Sequence, residues 1–200
     1  MLAPSLGTPF DNVLFSAVPR AQYDLLIRPH LTSHALAQGS KLLESGEEFD
    51  QVYFPHNGMI SLLVVLNDGK SIETATMGRE GVVGAMAGLG LYKSLVRVVV
   101  QLPMGSQISS SQFRKAAAHS DAILALCVRY NEVMLTQARS AAACNALHPV
   151  KQQFCRWLLQ SADRAGGDTI ALTQDPQRNA RRAAHFRDER RQRAAERRRY

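Results

Sequence analysis

The spacing of hydrophobic and polar residues changes character once along the chain, near Ser109. Before that point, from Gly39 to about Gly105, apolar residues fall in short runs separated by glycines at 39, 46, 58 and 69. Val52-Tyr53-Phe54-Pro55, Met59 to Leu66, Ser71 to Met77 and Val96 to Leu102 have strand composition. Asn67-Asp68-Gly69-Lys70 predicts a tight hairpin between two of them, because these residues tolerate positive φ. Many short strands with frequent turn signals predict a jelly roll or barrel. Upstream, residues 11–37 read as short helices. Asp11 or Asn12 is the expected cap of one, Val18-Pro19 starts another, and Pro29 interrupts it.

After Ser109 the period is helical. Ser111 is the expected cap of a helix through Phe113 to Ala118, and Ser120 that of a longer helix over 120–145. Within the long helix, Ile123, Cys127, Tyr130, Met134, Gln137, Ala141 and Cys144 follow a 4-3 spacing over three heptads, with Gln137 the one clearly polar member. Such a seam calls for a partner helix. A parallel homodimer is the expectation, and packing on the chain's own β domain is the alternative. His148-Pro149 starts a further helix with Val150, Phe154, Trp157 and Leu158 on one face, ending over Asp163 to Gly167. Thr169 to Leu172 reads as a short strand and Thr173 as a helix cap, but Pro176 then opens a tail rich in Arg and Ala.

Charge sharpens this division. The chain has 200 residues, 46% of them hydrophobic, and a net charge of +7. Residues 176–200 hold ten Arg against Asp188, Glu189 and Glu196, which accounts for the whole excess. The body, with 14 basic and 14 acidic residues, is balanced. A nucleic-acid reading drawn from charge alone therefore rests on the tail, where Arg178, Arg181, Arg182, Arg190 and Arg191 are candidates for non-specific phosphate contacts. Cys127, Cys144 and Cys155 are odd in number and widely spaced, which fits neither a disulfide framework nor a zinc ribbon. No signal peptide, membrane span or metal set is read, and a reduced cytoplasmic chain is the expectation.

The order of these elements resembles the Crp/Fnr transcription regulators. Val52-Tyr53-Phe54-Pro55-x-x-Gly58 looks like that family's strand-and-turn segment, and Asn67-Asp68-Gly69-Lys70 like its hairpin. Gly78-Arg79-Glu80-Gly81-x-x-Gly84 sits where its ligand cassette begins. Asn145-x-x-His148-Pro149-Val150, Arg156-Trp157-Leu158-Leu159 and Asp163-Arg164 resemble its hinge and the first helix of its DNA-binding domain. Leu172-Thr173-Gln174 resembles the approach to its helix-turn-helix. The resemblance spans residues 10–175 and implies an α+β chain: a double-stranded β-helix (jelly-roll) sensor domain, a long dimerisation helix and an incomplete winged-helix domain. The implied divisions are a cyclic nucleotide-binding-like roll over 1–118, a dimerisation helix over 119–146, the start of a winged helix-turn-helix over 147–175, and an Arg-rich tail over 176–200. It implies a homodimer that senses a small effector and, in intact members, reads a palindromic operator.

Two departures shape the functional expectation. Members that bind cyclic nucleotides place a Gly-Glu pair on the ribose, and an Arg with Ser or Thr on the phosphate. Here Gly84 is followed by Ala85, and Leu95-Val96 occupies the expected Arg position. Arg97, two residues on, shares a strand face with Leu95 and is the remaining cation, while Glu80 is the remaining carboxylate. The candidate effector pocket is therefore Glu80, Gly84, Ala85, Met86 and Arg97, with no cofactor expected and either a different small effector or no ligand preferred to a cyclic nucleotide. After Gln174, only 26 residues remain where a helix-turn-helix and wing are expected, and their composition is that of a frameshifted GC-rich segment or a basic arm. Sequence-specific DNA binding by this chain is accordingly expected to be compromised. The readings kept beside it are a stand-alone module that pairs with and inhibits an intact relative, and a non-specific nucleic-acid binder. No catalytic set is read.

Overall fold

Asn67-Asp68-Gly69-Lys70 turns the chain as its residues dictate. Gly69 has φ +80°, the Leu66 N–H donates to the Lys70 carbonyl at 2.8 Å, and Asp68 Oδ1 accepts from the Lys70 N–H at 3.0 Å. The computed structural model describes residues 12–34, 36–56, 58–102 and 105–165. Among these, seven strands form two antiparallel sheets: β1 (Thr32–His34), β2 (Lys41–Leu43), β3 (Gln51–Pro55), β4 (Met59–Val65), β5 (Ser71–Met77), β6 (Arg97–Leu102) and β7 (Gly105–Ser109). One sheet runs β1-β7-β3 and the other β2-β6-β4-β5. The hairpin pairs Val65 with Ser71 and Ile60 with Met77, with a register shift between Leu62 and Leu63.

The four strands and the hairpin read from the sequence are present, with β6 starting at Arg97 rather than Val96. β1 and β2 have three residues each, too few to reveal an alternating pattern. Asn12 is the N-terminal cap: its Oδ1 accepts from the Leu14 N–H at 3.0 Å, while Nδ2 donates to the carbonyls of Pro55 and Gly81 at 2.8 Å each. The helical segment that follows begins as α-helix α1 (Arg20–Gln22), widens to π geometry at Tyr23–Ile27 and closes as a 3-10 turn at Arg28–His30 around Pro29.

Two apolar clusters fill the roll. One gathers Phe15, Tyr23, Ile27, Val52, Phe54, Ile108, Phe113, Ile123 and Cys127, and the other Leu36, Leu43, Ile60, Met77, Val83, Val98 and Val100. Partly buried Met134 packs against both. Rings join the elements: Phe54 lies 4.7 Å from Phe15 and 5.9 Å from Phe113, centroid to centroid.

Three helices follow: α2 (Ser110–Ala118), α3 (Asp121–Leu147) and α4 (Val150–Ala165). The cap of α2 is Ser109, whose hydroxyl accepts from the Gln112 N–H, and not Ser111, which lies inside the first turn. Ser120 caps α3 as read, accepting from Ile123 N–H at 3.2 Å. No described helix is long and apolar enough to cross a membrane. The expected strand at Thr169–Leu172, the Thr173 cap, and Arg178, Arg181, Arg182, Arg190 and Arg191 lie outside the described residues.

Candidate effector site and its couplings

Gly84 opens the cassette with φ +87°, in the left-handed region. A side chain there would be strained and would touch Phe49 and Val52. The chain then forms one 3-10 stretch, Ala85–Leu89. Ala85, Ala87 and Gly88 are buried, and Met86 is half-buried. This stretch packs on α2 and α3. A Cβ on Gly88 would lie 2.7 Å from Cys127 Sγ and 3.2 Å from the Phe113 ring. The cassette is thus seated directly on the long helix.

The two charged candidates have separate partners. Arg97 Nε donates to Glu44 Oε2 at 2.8 Å, and Lys41 pairs with the other Glu44 oxygen at 2.7 Å. Arg97 and then Lys41 hold the Glu44 carboxyl below the usual carboxylate range. Arg97 is therefore paired with a carboxylate through its Nε. Glu80 turns the other way, onto α4, where it accepts from Arg164 Nε at 2.7 Å. The sequence grouped Glu80 with Arg97. The structure instead pairs Glu80 with a residue 84 positions away. Leu95, at the position of the expected Arg, is 85% exposed.

The seam residues of α3 face inward. Ile123, Cys127, Tyr130, Ala141 and Cys144 are buried within the single chain, and Met134 and Gln137 are partly so. Ile123, Cys127 and Tyr130 belong to the roll's own core. The dimer seam expected from the 4-3 spacing is in this structure an intrachain face, because such spacing marks a buried stripe and not what buries it. Burial pushes the Cys127 thiol up to about 11 and raises the Tyr130 phenol as well, as befits packing residues. One residue further on, Leu124, Val128, Asn131, Leu135, Ala138 and Ala142 form a second stripe with the same spacing. There Leu124, Val128 and Leu135 are 39%, 49% and 42% exposed.

The sequence marked Gly78-Arg79-Glu80-Gly81 as the approach to the cassette but not the contacts this turn makes. Val13 N–H donates to the Arg79 carbonyl at 2.7 Å, and Asn12 donates to Gly81. A Cβ on Gly81 would lie 2.7 Å from the Tyr130 hydroxyl, and one on Gly78 would lie 2.6 Å from Arg164 Cγ. The Gly-x-x-Gly spacing was its one signal. Both glycines are needed for close approach rather than for positive φ. No cluster of three or more metal-ligating side chains occurs among the described residues.

This architecture shares its fold with the cyclic nucleotide-binding-like jelly roll and long helix found in solved Crp/Fnr regulators. A Crp/Fnr-family regulator from Eubacterium rectale superposes with a TM-score of 0.65 at 11% identity, over 90% of this chain and 88% of that one. The c-di-GMP-responsive global regulator CLP of Xanthomonas campestris gives 0.60 at 13% identity, over 76% and 77%. The regulatory subunit of a cAMP-independent protein kinase A from Trypanosoma brucei gives 0.51 at 17% identity, over 60% of this chain and 43% of that one. No protein-family model and no curated protein sequence matches the chain.

Proposed function

We propose that this chain is a homodimeric, effector-responsive regulator of the Crp/Fnr kind, in which the roll senses, α3 dimerises and α4 begins the nucleic-acid-binding part. The observation that carries the reading is the seating of Gly88 on Cys127, which joins the cassette to the long helix. The same helix offers a second, outward stripe through Leu124, Val128 and Leu135, and a second copy of the chain is its proposed occupant. The effector is proposed to be a small molecule other than a cyclic nucleotide, since Ala85 and Leu95 replace the expected polar groups and Arg97 is held by Glu44.

Operator recognition is proposed to be weak, because residues 175–200 are rich in Arg and Ala and carry almost no large apolar residue with which to pack a helix-turn-helix. The ten arginines of the tail support a second reading, phosphate binding without base reading. Sedimentation, thermal shift with cAMP and gel shifts over a salt series test these points. The reading expects a dimer, an unchanged melting temperature at saturating cAMP, and sequence-indifferent binding that falls steeply with salt. A monomer, or a cAMP-dependent rise in melting temperature, overturns it.

A further inference from the structure

Outside the cassette, the turn after β5 and the last turns of α4 border a cavity of about 250 Å³, lined by Arg79, Glu80, Gln160, Asp163 and Arg164. The backbone of the turn is fixed. The Gly81 N–H donates to the Gly78 carbonyl at 2.9 Å, and the Arg79 carbonyl accepts from the Val13 N–H at 2.7 Å. On α4, Gln160, Asp163 and Arg164 are spaced to share one face. Part of the lining is already paired. Glu80 Oε1 accepts from Arg164 Nε at 2.7 Å and from the Gly78 N–H at 3.2 Å, and a second Arg164 nitrogen donates to Thr76 Oγ1. The Arg164 side chain is 12% exposed, so this pair forms the inner wall. The exposed side chains of Arg79 and Asp163 and the amide of Gln160 take no part in it. None of the three has an ion pair or a side-chain hydrogen bond among the described residues.

We propose that this cavity binds a small zwitterion of the amino-acid class, with its carboxylate on Arg79 and its ammonium on Asp163. Charge decides between ligand classes. The guanidinium groups of Arg79 and Arg164 balance the carboxylates of Glu80 and Asp163, so a bare anion or a bare cation meets no net field of opposite sign. What remains unpaired is one cation on the turn and one anion on α4. A ligand carrying both charges satisfies the two together through charge-assisted hydrogen bonds. Gln160 adds an amide, which can donate to the carboxylate or accept from the ammonium. Size narrows the class. Cavities that take drug-sized ligands start at about 300 Å³, so this one suits a molecule of few heavy atoms and not a nucleotide. The fixed backbone on the Arg79 side lowers the cost of ordering the site. The site shares only Glu80 with the candidate effector pocket, through a contact already made within the chain, and so it stands or falls apart from the functional reading above.

The test is a titration of the full-length chain, followed by the NMR signals of the Arg79 side-chain N–H and the Gln160 amide. Glycine, β-alanine and 4-aminobutanoate are the probes, because they carry the two charges at increasing separation. Propanoate and propylamine each carry one charge alone. At least one zwitterion should shift both signals and saturate at a dissociation constant of about 1 mM, as exposed ion pairs allow. The singly charged compounds should leave the signals in place over the same range. Arg79→Gln and Asp163→Asn alter exposed side chains, so the fold should persist while affinity falls about fivefold in each. Lys151→Gln, near the start of α4 and outside the cavity, should bind as the parent does. Three outcomes overturn the proposal: no response to any of the three zwitterions, propanoate or propylamine binding as tightly as the best of them, or full affinity retained in either cavity variant.

Discussion

Gly88 and Cys127 meet so closely that no methyl group fits between them: a Cβ on Gly88 would lie 2.7 Å from Cys127 Sγ. Gly88→Ala should therefore destabilise the chain by about 1–3 kcal/mol through overpacking. Cys127→Ala opens a small space at the same point. The double variant should be more stable than the sum of the two single effects predicts, with coupling of about 0.5–3 kcal/mol. Chemical denaturation of the four proteins measures this. Additive effects would mean that the cassette and α3 are not packed as described.

The outward stripe of α3 gives the second prediction. Val128→Asp and Leu135→Asp place a charge on exposed positions, so each should leave the fold and melting temperature of the monomer nearly intact while abolishing the dimer by sedimentation. A charge at Cys127, on the inward stripe, should instead unfold the roll.

How much of this was legible in the sequence follows from the range of each signal. The hairpin was legible because Asn-Asp-Gly encodes its own turn, and the long helix because Ser120 and its 4-3 spacing lie within it. The inward stripe was visible as apolar, but periodicity carries no record of its partner. The outward stripe was missed because Asn131, Ala138 and Ala142 dilute its hydrophobicity. The candidate site was only partly legible. Gly84 and Ala85 lie at the start of the 3-10 stretch, whereas Glu80 and Arg97 are claimed by Arg164 and Glu44, which lie 84 and 53 residues away. No local pattern announces such pairs.

Glu73 predicts a pH dependence. Burial raises its carboxyl above the ordinary value of 4.5, opposed by Ser61 and Trp157 and, less strongly, by Arg156 and Arg164. A carboxyl raised on folding binds its proton more tightly in the folded state. Its stabilising contribution is therefore complete below pH 4.5 and is lost as pH rises through the folded-state value. Glu73→Gln mimics the protonated form. It should melt higher than the parent at pH 7, with the gap closing as pH falls towards 4. A gap that is constant with pH would show that Glu73 ionises as freely as in the unfolded chain.

Gln153 holds the elbow between α3 and α4. Its Nε2 donates to the carbonyls of Cys144, Asn145 and His148 at 3.5, 3.4 and 2.8 Å, supplying partners that the end of a helix lacks. The residue is only 4% exposed, so water is poorly placed to take over. Gln153→Leu keeps the volume but removes the donor, leaving carbonyls to find other partners at a cost of about 1–3 kcal/mol. The loss should be local. Amide exchange should accelerate around the elbow and along α4 while the strands β4, β5 and β6 keep their protection. Gln153→Glu, which at neutral pH presents acceptors to acceptors, should accelerate it further. Equal exchange in all three proteins would mean that the elbow is held by the backbone bonds around it, from His148 to the Cys144 carbonyl and from Gln152 and Gln153 to the Pro149 carbonyl, without help from the side chain.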